Sequence, residues 1–354
     1  MSDRSEQGRP LHRQMIELPD ELRGAVERAL GGQPQARWLR AAQELSERYR
    51  DPRPGAPAQP LASGPQQALG YAAMILPATY AQMRGAVAAA AARAPAWQPR
   101  SLLDLGSGPG TALWAALAQW PGLQQIAAWE REAAFIALGR DLARGASHPA
   151  LAAARWRQQD LRESEWGQPE RYDLVVLGHV LNELDDADRR AVVARAWQRT
   201  AGLLLIVEPG TSAAFPVVRA AREQLLAEGA HTLAPCVHDR ACPLAGDWCH
   251  FPQRLRRPEF QRRARGAPSI WEDSKFSYAA MARFGPDRPA WGRVIREPTS
   301  NKAYAEVQIS AAAGVLRYRA LKRHRDAFRA ARDLAWGDAL DQAPPGLDQE
   351  GETA

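Results

Sequence analysis

The chain has 354 residues, 45% of them apolar and 24% charged, with a net charge of +6; this length and apolar content suit about two folded domains and exclude a disordered chain. No stretch reaches ~18 uncharged apolar residues and the opening, Met1 to Pro10, is polar, so we expect neither a membrane span nor a signal peptide, and a soluble protein of a reducing compartment, the cytoplasm. The charge is uneven: between Phe251 and Ala335, 19 Lys and Arg stand against 8 Asp and Glu, a net +11 that leaves −5 for the rest.

Residues 18–30 carry apolar side chains at helical spacing behind the acidic first turn Pro19-Asp20-Glu21, and residues 35–49 repeat the pattern, which predicts two helices. After a Pro- and Gly-rich loop at 51–65, residues 66–94 read as two more helices divided near Pro77. Together these make an expected N-terminal helical domain, 1–95. Beyond Arg100 the period changes, with strands predicted at 101–105, 125–130, 154–158, 172–178 and 203–208 and helices at 111–119, 133–144 and 187–199. Such alternation predicts an α/β domain, 96–212, built on a parallel sheet covered on both faces. A helix at 214–228 then leads into a cysteine-bearing loop, strands at 303–310 and 314–321 form a predicted hairpin, and the segment 341–354 reads as a disordered tail.

The first strand runs into Asp104-Leu105-Gly106-Ser107-Gly108-Pro109-Gly110 and then a helix, where glycines let the main chain approach a ligand and helix-start N–H groups face a negative group. Glu130 closes the second strand, where an acidic side chain can accept from ribose hydroxyls, and Asp160 follows the third, where a carboxylate can take the adenine amine. A dinucleotide oxidoreductase would carry G-x-G-x-x-G; Pro109-Gly110 makes a different turn. The loop resembles the first motif of class I S-adenosylmethionine-dependent methyltransferases over about residues 100–210. By that resemblance Asp104, Gly106, Ser107, Gly108 and Gly110 line the methionine end of the cofactor, Glu130 its ribose and Asp160 its adenine; the plainer reading is a Rossmann-like sheet whose site has lost its cofactor. After the fourth strand, His179, Asn182 and Glu183 stand where such enzymes aim groups at substrate, His179 as a base or an orienting group, although a histidine at a strand end also serves structure. No Asn/Asp-Pro-Pro-aromatic motif and no cysteine lies near this strand, which argues against methylation of an exocyclic amine held in that way and against covalent attack on a pyrimidine.

The three cysteines, Cys236, Cys242 and Cys249, fall within fourteen residues, with His238 and His250 in or beside the stretch. Thiolates gathered on a loop bind soft metals, and the C-x5-C-x6-C spacing matches neither the paired knuckles of a zinc ribbon nor the C-x3-C-x2-C run of radical enzymes; three buried thiols are the bland alternative. The basic segment that follows interleaves arginines with Trp271, Tyr278, Trp291, Tyr304, Tyr318 and Trp336, the ingredients of an RNA-binding face, unless the arginines reflect only a GC-rich genome.

Several motifs combine into one family resemblance: Tyr71-Ala72-Ala73, Leu76-Pro77-Ala78-Thr79-Tyr80, the glycine loop, 179–184, Glu208-Pro209-Gly210-Thr211, the cysteine loop ending Asp247-Trp248-Cys249-His250-Phe251, and Trp336-Gly337-Asp338. Over residues 18–338 the chain resembles the methyltransferase-like mitochondrial small-ribosomal-subunit assembly factors and their bacterial relatives. The resemblance implies a class I methyltransferase fold, association with small-subunit ribosomal RNA or a pre-ribosomal particle, and a 4Fe-4S cluster on four cysteines in a C-terminal metal-binding lobe, 213–340. Here Ser310 stands where the family's fourth cysteine would be. The cluster is therefore completed by Ser310, His238 or His250, or has given way to zinc. The expected function is an S-adenosylmethionine-binding, methyltransferase-like protein of small-subunit assembly; the alternatives are a non-catalytic assembly factor of the same fold and a small-molecule methyltransferase with a zinc site.

Overall fold

The computed structural model describes residues 13–50, 64–168 and 170–347; the polar opening, positions 51–63 of the loop and the tail from 348 lie outside the described residues. Four helices come first: α1 (Asp20–Gly31), α2 (Gln35–Arg50), α3 (Pro65–Met74) and α4 (Leu76–Arg93). Asp20 and Glu21 sit in the first turn of α1, where they complement the exposed N–H groups. Pro65 and Pro77 occupy the first turns of α3 and α4, the position at which a missing N–H costs no hydrogen bond.

The main sheet is assembled from β1 (Ser101–Leu105), β2 (Gln125–Glu130), β3 (Arg155–Gln158), β4 (Tyr172–Gly178), β5 (Thr200–Pro209), β6 (His231–Ala234), β7 (Phe251–Arg256) and β8 (Trp271–Ala282). Between them run α5 (Thr111–Gln119), α6 (Ala133–Ala143), α7 (Pro149–Ala152), α8 (Asp186–Gln198), α9 (Phe215–Ala227) and α10 (Glu259–Arg265). The strand order is β3-β2-β1-β4-β5-β8-β6, with β7 also on β8. Strands β1 to β5 are mutually parallel, while β8 runs antiparallel to β5, β6 and β7. The chain thus has a mixed α/β, Rossmann-like fold with a largely parallel sheet and helices. The sheet takes in residues 231–282, well past the 96–212 segment delimited from the sequence.

Alternation along each strand sends neighbours to opposite faces. Leu102, Leu174 and Leu205 join Leu22, Trp38 and Met83 in one core, so α1 to α4 cover one face of the sheet. Leu103, Val175 and Ile206 meet Trp197 and Leu225 on the other. A second, smaller sheet, β9 (Gly292–Val294), β10 (Thr299–Ser300), β11 (Tyr304–Ala311), β12 (Gly314–Leu321) and β13 (Ala339–Leu340), carries α11 (Arg325–Asp333) and has its own core around Val294, Val307 and Ile309. Leu347 packs against that core and Tyr318 donates to the Pro345 carbonyl at 3.1 Å, so residues 341–347, expected to be disordered, are held to the small sheet.

Candidate functional site

Strand order reverses direction between β1 and β4, and ligands of open α/β sheets bind outside the carboxyl ends of the strands at such a point. A cavity of about 830 Å³ lies there, walled by the glycine loop after β1, the ends of β2 and β4, Tyr71, Thr79 and Gln82 from α3 and α4, and Arg263 and Arg265 from α10. Asp104, near the end of β1, is 2% exposed and its Oδ2 has no hydrogen-bond partner. Burial, and then Glu130, push its carboxyl up to about 8, so the group is neutral at pH 7 until a cation reaches it.

Gly106 and Gly108 hold the loop open. Gly106 has φ 71°, and a Cβ there would lie 2.4 Å from Val180 Cγ2; around Gly108, φ 53°, a Cβ would meet nothing within 4 Å, so its backbone borders free space. The main-chain N–H groups of Gly106 and Ser107 donate to the Trp129 carbonyl at 2.8 and 3.0 Å. Glu130 accepts from the N–H of Gly108 and of Glu132, each at 2.8 Å, and burial raises its carboxyl. Asp160 also lines the cavity, but both oxygens are engaged by Arg162, an ion pair that holds it below the usual carboxylate range. Gly110 is not on the cavity wall: it precedes α5 in the left-handed conformation against the Trp156 ring.

His179 and Glu183 reach the cavity, whereas Asn182 is exposed and does not. Burial lowers His179 to about 4, and its Nε2 lies 2.6 Å from Gln82 Oε1. Glu183 is an exposed residue, yet desolvation of its carboxyl at the cavity wall pushes it up to about 7, with Arg131 opposing and Glu130 and Glu132 adding. Beneath this turn Glu208, fully buried, accepts at Oε1 from the N–H of Val180 at 3.1 Å and of Leu181 at 2.7 Å. Gln82 and Glu208 carry no role in the sequence reading; the one available signal for Gln82 was a lone amide in an otherwise small and apolar stretch of α4.

A second cavity, of about 30 Å³, is lined by Cys236, Cys242 and Cys249 together with Ser310 from β11 and Arg222 from α9. All three thiols are free. Burial pushes the thiols of Cys236 and Cys249 up, and neighbouring cysteines add to it. Arg222 donates to the carbonyls of Arg240 and His238, while its buried Nε has no partner. His238 and His250 are not on this wall: His238 Nδ1 accepts from the Arg240 N–H, and His250 stacks on Trp248 at 5.1 Å between ring centres. Among the described residues no group of three His, Cys, Asp or Glu side chains has the spacing that holds an ion, so the metal-binding lobe of the sequence reading stands as a convergence of donors only.

Much of the basic segment is neutralised locally, by Arg254–Asp273, Arg256–Glu17, Arg257–Glu272, Arg296–Asp247 and Arg319–Glu306. Helix α11 buries Ala331 and half-buries Phe328 while exposing Arg325 and Arg329. Of the six aromatics singled out, Tyr278 and Tyr318 are buried; Trp271 is 42% exposed, with the Arg254 guanidinium 4.3 Å from its ring centre. Among the described residues no helix is long and apolar enough to cross a membrane.

The family described as "Mitochondrial small ribosomal subunit Rsm22" matches residues 65–341. The chain belongs to the Rsm22 family. A human relative, "Ribosome assembly protein METTL17, mitochondrial", is 31% identical over 296 residues, 78% of this chain and 63% of the relative. The Schizosaccharomyces pombe "Rsm22-cox11 tandem protein 2, mitochondrial" is 23% identical over 67% of this chain and 38% of its own length. This Rsm22-family chain therefore spans less than two thirds of either relative. Among solved structures, magnesium protoporphyrin IX methyltransferase (ChlM) from Synechocystis PCC 6803 with bound SAH is 12% identical with a TM-score of 0.38, covering 58% of this chain and 84% of that one. An O-methyltransferase family protein from Burkholderia thailandensis is 17% identical with a TM-score of 0.40, covering 59% and 67%.

Proposed function

We propose that this Rsm22-family chain binds S-adenosylmethionine in the larger cavity and acts in assembly of the small ribosomal subunit through contact with its RNA. The observation that carries the first part is Asp104: a buried, unpartnered and neutral carboxyl invites a ligand bearing positive charge, and the open backbone at Gly108 gives that ligand room beside it. Asp104 and the 106–108 loop hold the charged end, Glu130 the sugar, and Asp160, sharing its carboxylate with Arg162, the base. When bound, the cofactor supplies an activated methyl group. The role in assembly is supported by family membership and by the human relative, a mitochondrial ribosome assembly protein. Exposed Arg325 and Arg329 supply phosphate-facing charge and Trp271 a stacking surface.

At the smaller cavity the donor set, three thiols and the Ser310 hydroxyl around one space, suits a thiolate-held 4Fe-4S cluster or, failing that, zinc. Arg222, which lines the same cavity and has a buried Nε without a partner, offsets the negative charge that either centre brings. A reducing compartment keeps such thiols available.

A second reading, a non-catalytic assembly factor of the same fold, has its own support: Glu130 and Asp160 already bond within the protein. Asp104→Ala separates the two. If that variant loses cofactor binding and small subunits no longer mature, the cofactor is needed; if they mature normally, the enzymatic reading fails. For the metal, the protein purified without oxygen is expected to be brown with about four irons, and a colourless protein with one zinc selects the alternative.

A further inference from the structure

We infer that the larger cavity presents one fixed hydrogen-bond acceptor to a second ligand, Nδ1 of His179, and that the ligand group facing it is an uncharged N–H or O–H donor; Gln82 is the positioning residue that makes this so. The inference deepens the reading of the cavity given above and rests on it for the presence of a first ligand. At about 830 Å³ the space lies toward the upper end of the roughly 300–1,000 Å³ of small-molecule sites, which leaves volume beyond the glycine loop.

The orientation of Gln82 is fixed from outside the cavity. Its Nε2 donates to Ser274 Oγ at 2.9 Å and to the Lys275 carbonyl at 3.0 Å. A carbonyl only accepts, so the amide has one orientation and Oε1 faces His179 Nε2 at 2.6 Å. Because Oε1 also only accepts, the proton of the imidazole is on Nε2. Burial keeps the ring neutral, and among the described residues the ring's hydrogen bond is at Nε2, which leaves the Nδ1 lone pair to the cavity that the ring lines.

The backbone is built for the same end. His179 is the non-glycine residue with positive φ, 60°, among the described residues, in a region such side chains occupy sparsely. Two N–H groups immediately after it are clamped by the buried Glu208 carboxyl. A histidine that merely fills space needs neither the clamp nor a partner of fixed polarity. Three constraints on one ring leave a single atom, an acceptor, for whatever enters. A ligand group without hydrogen meets lone pair against lone pair there and is rejected.

The test uses the full chain labelled with ¹⁵N-histidine at pH 7, with His179→Gln identifying the resonances among the seven histidines. In the ligand-free protein the ring is expected as the Nε2–H tautomer, and Gln82→Leu mixes the tautomers. With S-adenosylhomocysteine present, phenol, a neutral O–H donor, is expected to move the Nδ1 resonance upfield and to bind about tenfold tighter than anisole, its methyl ether. An Nδ1–H tautomer in the free protein, or equal binding of phenol and anisole, overturns the inference. Failure of S-adenosylhomocysteine to bind, with the phenol response intact, sinks the cofactor reading and leaves this one standing.

Discussion

Replacing Asp104 by Asn isolates the electrostatic feature on which the cavity depends. The folded-state value of Asp104 is raised from 3.8 to about 8, first by burial and then by Glu130. A carboxyl raised in this way binds more protons folded than unfolded between those values. Its stabilising contribution is therefore complete below the unfolded value and is lost as pH climbs toward 8. Each unit corresponds to about 1.4 kcal/mol, which sets a ceiling of about 4 kcal/mol between pH 5 and pH 8; water in the cavity and relaxation around the charge reduce this to about 2 kcal/mol. Asn keeps the shape and cannot ionise, so Asp104→Asn is expected to gain about 2 kcal/mol on the parent between pH 5 and pH 8. Urea unfolding followed by tryptophan fluorescence at both pH values measures the difference. Adding S-adenosylhomocysteine flattens the parent's pH dependence, because a cation beside Asp104 restores its ordinary acidity, and leaves the variant unchanged. Parallel pH profiles for parent and variant without ligand refute the reasoning.

Gly106→Ala combines a left-handed backbone with a Cβ 2.4 Å from Val180 Cγ2 and is expected to cost about 3 kcal/mol; Val180→Ala in the same chain recovers part of the loss, read as melting temperature. Burial raises Glu208 to about 8, so at pH 7 it is mostly protonated and Glu208→Gln stays within about 1 kcal/mol of the parent. Glu208→Ala strands the Val180 and Leu181 N–H groups and costs about 2–3 kcal/mol, a contrast that thermal melts of the two variants reveal. Reversing charge at both exposed α11 positions, Arg325→Glu with Arg329→Glu, is expected to lower the slope of log affinity against log salt for single-stranded ribosomal RNA by at least about 1.4, with an unchanged circular dichroism spectrum.

Local signals carried much of the fold. Strands β1, β2 and β4 and helix α5 begin and end where short buried runs meet glycine or polar boundaries, and Pro77 divides α3 from α4 as its chemistry demands. Strand β8 was invisible for an equally physical reason: Ala279-Ala280-Met281-Ala282 are good helix formers, and they are extended because β5 and β6 flank them, a pairing across long sequence separations that no window displays. Since β8 places Ser274 against Gln82, the histidine's tautomer was hidden with it. The glycine loop, Glu130, Asp160 and His179 were legible as motif positions, but Asn182 shares that motif and points away from the cavity, because a short 3-10 turn at Leu181–Glu183 rotates it outward. The cysteines and Ser310 were readable as one group; Arg222, from a helix before the loop, was not. A count of charges likewise conveyed the basic excess of 251–335 without showing which arginines are paired, two of them with acids from outside the segment, Glu17 and Asp247.

Calorimetric titration of S-adenosylmethionine into the full chain at neutral pH tests the central claim most directly. A saturable one-to-one heat that Asp104→Ala abolishes and Arg329→Glu leaves intact is the predicted result. No heat at millimolar ligand, or binding that survives the loss of Asp104, contradicts the account.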